Sequence, residues 1–201
     1  MRRSIRDIRR DELIAATMTA IHRHGFAAVT VSQIAEVADA SVGSISYYCG
    51  GKDRLLEGAM RRLLTILRDC TVEGQRAAQS PRARLEAVVL ANFDPRLFNK
   101  AQCSVWMQFW AFAPYTPPLA RLHRINRARV SSNIRAELEM LLPVADIANA
   151  QRSLQAYMDG VWLEASQGDA PVDPVFAQHA AKAFLATLLA ENVGHCSSDS
   201  T

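Results

Sequence analysis

The stretch Thr30–Lys52, which reads TVSQIAEVADASVGSISYYCGGK, decides how this chain is interpreted. It predicts two short helices separated by a tight turn at Asp39-Ala40, with Gly50-Gly51 ending the second helix. That second helix carries small and polar side chains where a packed helix would be apolar. Such a composition suits a helix that lies against a polar surface, such as the edges of DNA bases. The stretch therefore predicts a helix-turn-helix whose second helix enters the major groove.

Both short helices have clear start signals. Thr30 is followed three residues later by Gln33, the spacing of a capping box, and Ser41 is placed to cap the second helix. Within that helix, Ile45 and Tyr48 lie three residues apart and are expected to anchor inward. The residues expected to contact DNA are small, polar or basic: Thr30, Ser32, Gln33, Ser41, Val42, Gly43, Ser44, Ser46, Tyr47 and Lys52.

The expected DNA contacts divide between bases and phosphates. Serine hydroxyls can bond to base edges, and Val42 can touch a thymine methyl group. Tyr47, Lys52 and the backbone amides at the two helix starts suit phosphate. Gly43 costs its helix roughly 1 kcal/mol relative to alanine, and a close approach of the backbone to DNA would explain that cost. The alternative is a small structural corner, because helix-turn-helix geometry also occurs in proteins that never bind DNA.

The excess positive charge lies in the same region. The chain has 23 Lys and Arg against 20 Asp and Glu, a net charge of +3. Residues 1–62 hold ten basic and seven acidic residues, which accounts for the whole excess. Five arginines fall within residues 1–10 and predict a basic N-terminal arm that attracts phosphates. For the arm alone, a solvated and disordered tail is the alternative.

The remaining sequence also predicts helices, so the expected fold class is all-α. A first helix is expected from about Asp7 to His24, and a long helix from Lys52 to about Gln79. Capping residues followed by proline mark further starts. The further helices are expected near 81–93, 95–100, 101–113, 117–141, 143–167 and 174–192. The predicted parts of the chain are a three-helix unit (1–51), a larger helical body (52–193) and a frayed tail (194–201).

Cysteine spacing and hydropathy indicate the cellular compartment in which the protein is expected. Cys49, Cys70, Cys103 and Cys196 lie far apart, with no CxxC or zinc spacing, as is typical of reduced thiols in a cytosolic chain. The N-terminus lacks the apolar segment of a signal peptide, and no apolar run approaches the roughly 18 residues of a membrane helix. We expect a cytoplasmic protein with no metal, no cofactor and no membrane partner.

A pattern of about thirty residues resembles the signature of TetR-family transcriptional regulators. It reads Phe26-x-x-Val29-Thr30-Val31-x-x-Ile34-Ala35-x-x-Ala38-x-x-Ser41-x-Gly43-x-x-x-x-Tyr48-x-x-x-Lys52-x-x-Leu55. The sequence departs from the family at Asp39 and Ala40, where Gly-Val is usual, and at Cys49, where an aromatic residue is usual. Asp39 can still adopt a left-handed turn.

Later motifs extend the resemblance to BetI-type repressors of choline-to-glycine-betaine genes. They include Trp106-x-x-Phe109-Trp110, Leu122-x-Arg124-Ile125-Asn126 and Asp159-Gly160-x-Trp162-Leu163. The resemblance implies a TetR-like fold, with a DNA-binding domain (1–51) and a ligand-binding and dimerisation domain (52–193). It also implies a homodimer, paired through its last two long helices, on a pseudo-palindromic operator in double-stranded DNA.

The implied effector is choline or a related quaternary ammonium compound. Trp106, Phe109 and Trp110 share one helix face, and aromatic faces attract such cations by about 0.5–2 kcal/mol per contact. The expected ligand residues are aromatic, with one carboxylate: Phe93, Trp106, Phe109, Trp110, Tyr157, Asp159 and Trp162. An aromatic stripe is also typical of a core, and Asp159 could equally be a structural hydrogen-bonding residue. The alternative is a TetR-type regulator of small hydrophobic ligands, for example one controlling efflux or catabolism.

Catalysis is not indicated. His22 and His24 lie two apart on a helix and point in different directions, so they make a poor metal pair. No HExxH, GxSxG or Rossmann glycine pattern occurs. The other class is a structural adaptor whose helical body serves only protein contacts, and it predicts no salt-dependent DNA affinity.

Overall fold

The computed structural model describes residues 4–194, and their regular structure is helical throughout, which confirms the predicted all-α class. The α-helices in chain order are α1 (Ile5–His24), α2 (Val31–Val37), α3 (Val42–Cys49), α4 (Lys52–Ala77), α5 (Pro81–Leu90), α6 (Lys100–Phe112), α7 (Pro117–Leu138), α8 (Val144–Gln167) and α9 (Pro174–Gly194). Two short 3-10 turns, Ala91–Phe93 and Ala113–Tyr115, follow α5 and α6.

The predicted N-terminal arm is partly wrong, because α1 begins earlier than expected. Ser4 caps the helix by accepting a hydrogen bond from the Asp7 amide, so Arg6, Arg9 and Arg10 lie on α1. Only Arg2 and Arg3 remain for an arm, and they lie outside the described residues, as does the predicted tail beyond Gly194.

The helix predicted near 95–100 is also wrong. The amides of Leu97 and Phe98 both donate to the Asp94 carbonyl, and the Asp94 carboxylate accepts from the Arg96 amide. These bonds close one turn, and a single turn does not recover the entropy of starting a helix. Burial of Leu97 and Phe98 holds the chain in this turn until α6 starts at Lys100.

The chain forms two compact units that differ from the predicted division by sequence. Among the described residues, one unit contains residues 4–65 together with Ala101–His123, and the other contains Ile66–Lys100 and residues 124–194. Most of α6 therefore lies in the same unit as the three N-terminal helices. A compact unit is not a functional domain, so the division at residues 51 and 52 stays a prediction.

In the N-terminal unit, α1, α2 and α3 pack against one another around Ile21, Ile34 and Ile45, which are fully buried. Elements beyond residue 51 complete this small core. Gly58 on α4 lies against Ile14 of α1. Phe26, which follows α1, stacks on Phe112 of α6 with ring centroids 5.0 Å apart. The Phe26 amide also donates to Gln108 of α6.

The second unit has its own core, in which α9 packs against α5 and α8. Phe93 and Ile134 are fully buried there. Gly74 on α4 allows close packing, because a Cβ at this position would lie 2.9 Å from Ala87 Cβ. Arg84 of α5 donates from Nε to both carboxylate oxygens of Glu137 on α7, at 3.0 and 2.9 Å. This ion pair joins two helices that are far apart in sequence.

Candidate DNA-binding surface and effector sites

The starts of α2 and α3 are formed by the predicted capping residues. Gln33 donates its amide to Thr30 Oγ1, and the Thr30 amide donates to Gln33 Oε1 at 2.8 Å, which completes the capping box. Ser41 Oγ accepts from the Ser44 amide at 3.1 Å. Each cap satisfies part of the backbone N–H groups in the first turn of its helix. The other N–H groups of that turn have no carbonyl partner within the helix. Both predicted caps are confirmed.

The turn between α2 and α3 depends on one residue in a left-handed conformation. Asp39 has φ 47°, and it is flanked by bonds from the Asp39 amide to the Glu36 carbonyl and from the Ala40 amide to the Ala35 carbonyl. This pair of bonds is a Schellman motif, which ends α2 sharply and directs the chain into α3. The left-handed turn predicted at Asp39 is confirmed.

We expect Asp39→Ala to lower the free energy of unfolding by about 1 kcal/mol, because a Cβ without a polar side chain is disfavoured in the left-handed region. Asp39→Gly should change it by less than about 0.5 kcal/mol, since relief of strain is offset by glycine's freedom in the unfolded chain. Urea denaturation of the three proteins measures both values. Equal stability of the aspartate and alanine proteins would show that the turn is not strained.

One face of α3 is open to solvent and the other is buried. Ile45 and Cys49 form the buried side, and burial raises the pKa of the Cys49 thiol. Tyr48 is half-buried and meets the Tyr47 ring edge-on at 4.9 Å. On the open side, Tyr47 is 71% exposed. Val42, Gly43 and Ser46 are exposed with it, and Ser44 is half-buried.

Gly43 has no structural need to be glycine. A Cβ built there would find only Ser41 Oγ nearby, at 3.7 Å, which is an ordinary contact. Gly50, by contrast, ends α3 with φ 74°, a conformation that favours glycine. The missing side chain of Gly43 therefore leaves space on the outside of the molecule.

Basic groups lie beside this open face. The Arg6 guanidinium of α1 lies over the Tyr47 ring, 5.9 Å from its centroid. Lys52 Nζ lies 3.5 Å from the Ala27 carbonyl, close to the start of α2. Thr30 and Ser32 are exposed and Gln33 is half-buried at that start. The contact of Arg6 with Tyr47 was not predicted from the sequence, because the two residues are 41 positions apart and share no local pattern.

The predicted effector residues fall into two groups in different compact units. Trp106, Phe109 and Trp110 form the first group on α6, and the Trp106 ring lies 6.3 Å from each of the other two. His123 of α7 adds a fourth ring, 6.2 Å from both Phe109 and Trp110, and was not predicted. Trp106 and Phe109 are almost wholly buried, at 4% and 1% exposed, whereas Trp110 is half-buried.

The second group surrounds Tyr157 on α8. Tyr157 stacks on Phe184 of α9, with centroids 4.2 Å apart, and meets Phe93 edge-on at 6.4 Å. Trp162 packs edge-on against Phe98 at 5.5 Å. Burial raises the pKa of the Tyr157 phenol, which favours its neutral form further.

Asp159 is not brought together with these rings. Its carboxylate accepts from Arg127 Nη1 at 2.6 Å and from Gln155 Nε2 at 3.2 Å. Residues two apart on a helix point in different directions, so Asp159 and Tyr157 line different grooves of α8. The ion pair with Arg127 neutralises the Asp159 carboxylate, whose charge would otherwise attract a cationic ligand.

Within residues 4–194, no group of His, Cys, Asp and Glu side chains is arranged to hold a metal ion. No helix in this part of the chain combines the length and the apolar character that a membrane crossing requires.

Both the N-terminal and the C-terminal parts of the chain match known transcriptional regulators. Residues 81–190 match the C-terminal domain of BetI-type transcriptional repressors, and residues 13–59 match bacterial regulatory proteins of the tetR family. "HTH-type transcriptional regulator BetI 2" of Chromohalobacter salexigens is 40% identical over 184 residues, which cover 90% of this chain and 89% of that protein. "HTH-type transcriptional regulator BetI" of Burkholderia mallei is 39% identical over 190 residues, covering 94% and 97%.

Solved structures share the fold. A putative transcriptional regulator from Pseudomonas aeruginosa superposes with a TM-score of 0.73 at 27% identity, covering 94% of this chain and 93% of that one. A putative transcriptional regulator from Saccharomonospora viridis, solved in complex with choline, superposes with a TM-score of 0.76 at 21% identity, covering 88% and 95%.

The α2–α3 corner has capped helices and an open polar face, as a helix-turn-helix requires, and two family models match the chain. These findings confirm the predicted family. TetR-family regulators bind DNA operators and small-molecule effectors, and they act as dimers. This chain belongs to the TetR family of bacterial transcriptional regulators, in its BetI-type branch of ligand-responsive repressors.

Proposed function

We propose that this protein represses transcription as a homodimer on a pseudo-palindromic operator, and that choline or a related quaternary ammonium compound releases it. The main support for DNA binding is the solvent-exposed face of α3. There Gly43 lacks a side chain, although the packing of the protein leaves room for one. In a twofold dimer the two α3 helices would enter successive major grooves about 34–36 Å apart.

The proposed DNA contacts follow from exposure and chemistry. Val42, Ser44 and Ser46 read base edges, with Val42 directed to a thymine methyl group. Tyr47, steadied by Arg6, and Lys52 bind phosphates. The start regions of α2 and α3 add further contacts through their first-turn amides and polar side chains. The residues proposed there are Thr30, Ser32, Gln33, Ser41 and Gly43.

The effector class is supported by the relatives and by the aromatic residues. Relatives at about 40% identity carry the name BetI, and a regulator of the same fold has been solved with choline. The proposed ligand residues are those expected from the sequence: Phe93, Trp106, Phe109, Trp110, Tyr157, Asp159 and Trp162. Because the Asp159 carboxylate is paired with Arg127, the aromatic rings are proposed as the main contacts of the cation.

We propose that α6 carries the response to the DNA-binding helices. Its Gln108 accepts from the Phe26 amide, and its Phe112 stacks on Phe26, four residues before Thr30. A ligand that favoured another position of α6 would therefore bias the helix-turn-helix through Phe26.

The test is operator binding by fluorescence anisotropy, using the DNA upstream of the protein's own gene at two salt concentrations. We expect tight binding that weakens steeply with salt, and release on addition of choline. Tyr47→Ala should weaken binding by about 10-fold, because a phosphate contact is lost in each half-site. Ser44→Ala should weaken it less, since Ser44 is half-buried and bonded to Ser41.

Tyr115→Ala is the matched control, because Tyr115 is 84% exposed and lies outside the proposed surface. If neither Tyr47→Ala nor Ser44→Ala weakens binding at matched stability, the proposed face of α3 is wrong. If the protein binds DNA but ignores choline, betaine aldehyde and betaine, the proposed effector class is wrong. Release by an unrelated hydrophobic compound would then support the alternative regulator.

A further inference from the structure

A groove lies at the C-terminal end of α8, within the second compact unit. It encloses about 450 Å³, a size suited to a small-molecule ligand. We call it the α8–α9 groove. Its lining includes Phe98, Tyr157, Val161, Glu164, Asp173 and Phe176. Of these, only Tyr157 belongs to the set expected from the sequence.

The groove has aromatic walls that are held from behind. Tyr157 is backed by the parallel ring of Phe184, at 8° between planes, and Phe98 is backed by the edge-on ring of Trp162. Phe176, in the first turn of α9, is 71% exposed and stands at the opening. Phe98 is only 2% exposed and forms the floor of the groove, so the rings open to a ligand are the half-buried Tyr157 and the exposed Phe176. Two aromatic rings can contact a methylated ammonium group from two sides.

The charges around the groove favour a cation. The residues that line the groove include two carboxylates, Glu164 and Asp173, and no Lys, Arg or His. Glu164 is exposed at the groove, and Asp173 Oδ1 accepts from the Val175 and Phe176 amides. Those bonds offset the positive end of α9. Glu164 therefore supplies the negative charge at the groove.

The nearby ammonium of Lys100 is bonded to the backbone and not to Glu164. Its Nζ donates to the carbonyls of Ala165, Ser166 and Gly168 at the end of α8. That position is where a helix carries partial negative charge, which offsets part of the lysine's positive charge. The same bonds hold the segment after α8 that lines the groove.

We propose that the α8–α9 groove is the site that binds the methylated ammonium head of the effector. Tyr157 and Phe176 contact the methyl groups, and Glu164 supplies the countercharge. This inference rests on the proposed effector class and assigns it a location, in preference to the Trp106 group, in which no ring is as exposed as Phe176.

The experiment is isothermal titration calorimetry of the full-length protein with choline and with 3,3-dimethylbutan-1-ol, its uncharged isostere. Wild type should bind choline and bind the isostere at least about 10-fold more weakly, because the isostere has no charge for the rings or Glu164 to attract. Phe176→Leu should weaken choline by about 2- to 30-fold, the range of one cation–aromatic contact. Glu164→Gln should weaken it by about 5-fold, and less at high salt.

Both substitutions fall on exposed side chains, so the fold should tolerate them, and thermal melts check this. Glu139→Gln removes an exposed carboxylate outside the groove and serves as the control. Choline binding by wild type that neither groove variant weakens would overturn the location alone. Loss of choline affinity in Trp110→Leu, with both groove variants unchanged, would place the site on α6. No binding by wild type that still binds operator would overturn the effector class as well.

A second copy of the chain is the competing occupant, because Phe176 lies on one of the two helices expected to pair. Sedimentation of Phe176→Leu separates the two cases. A dimer with weakened choline affinity supports the groove as an effector site. A shift to monomer with unchanged choline affinity would make the groove part of the interface between copies.

Discussion

Gly43→Ala is expected to leave the protein as stable as wild type, or more stable, and yet to weaken operator binding by about 10- to 100-fold. The gain in stability should be up to about 0.5–1 kcal/mol, because alanine is the better helix former and its Cβ meets only Ser41 Oγ at 3.7 Å. The loss of affinity corresponds to roughly 1–3 kcal/mol, the scale of one disrupted base contact. In a dimer the added methyl group enters both half-sites.

The opposite signs of these two effects make the prediction specific. Thermal unfolding gives the stability change, and fluorescence anisotropy with operator DNA gives the affinity. Gly160→Ala is the matched control, since Gly160 is also an exposed helical glycine with no neighbour within 4 Å of an added Cβ. It should share the gain in stability and keep operator affinity, provided that sedimentation shows an unchanged dimer. Wild-type affinity of Gly43→Ala would mean that the backbone of α3 does not approach DNA closely.

Arg84→Met is expected to destabilise the protein by about 3 kcal/mol, because it leaves the Glu137 carboxylate buried without its countercharge. The Glu137 side chain is 10% exposed and accepts both hydrogen bonds from Arg84 Nε. Arg84 itself is 35% exposed, so we place the loss at the lower end of the range for broken buried pairs.

The double variant Arg84→Met/Glu137→Leu should recover most of that loss, since two apolar side chains leave no unpaired charge. Urea denaturation at one fixed protein concentration measures each value, because the stability of a dimer depends on concentration. Arg135→Met is the matched control. Its Nε also donates to a carboxylate, Glu139 Oε1 at 2.8 Å, but this pair is exposed, so its loss should stay below about 0.5 kcal/mol. A loss in the double variant as large as in Arg84→Met would show that packing, rather than charge, holds α5 to α7.

Features that depend on neighbouring residues were predictable from the sequence. The capping box at Thr30 and the cap at Ser41 need only side chains three residues away. The left-handed turn at Asp39 is likewise set within a few positions. The open side of α3 follows from helical spacing around Ile45, which the structure buries completely.

The wrong prediction near 95–100 marks the limit of such local signals. Asp94-Pro95 has the composition of a helix start, and the Asp94 carboxylate does accept a nearby amide. Burial of Leu97 and Phe98, however, is a demand of the surrounding core that the local pattern does not contain. A favourable cap can start a turn, but the side chains that follow decide whether a helix continues.

By itself the sequence determined the family, the helix-turn-helix and most of the outward face of α3, because each rests on patterns of neighbouring residues. Only the tertiary structure decided the rest. It separated the expected ligand residues into two groups, paired Asp159 with Arg127, brought Arg6 over Tyr47 and joined Gln108 to Phe26. The last three of these contacts join residues between 32 and 82 positions apart. Helix packing selects these partners, and it leaves no periodic pattern in the sequence from which they could be predicted.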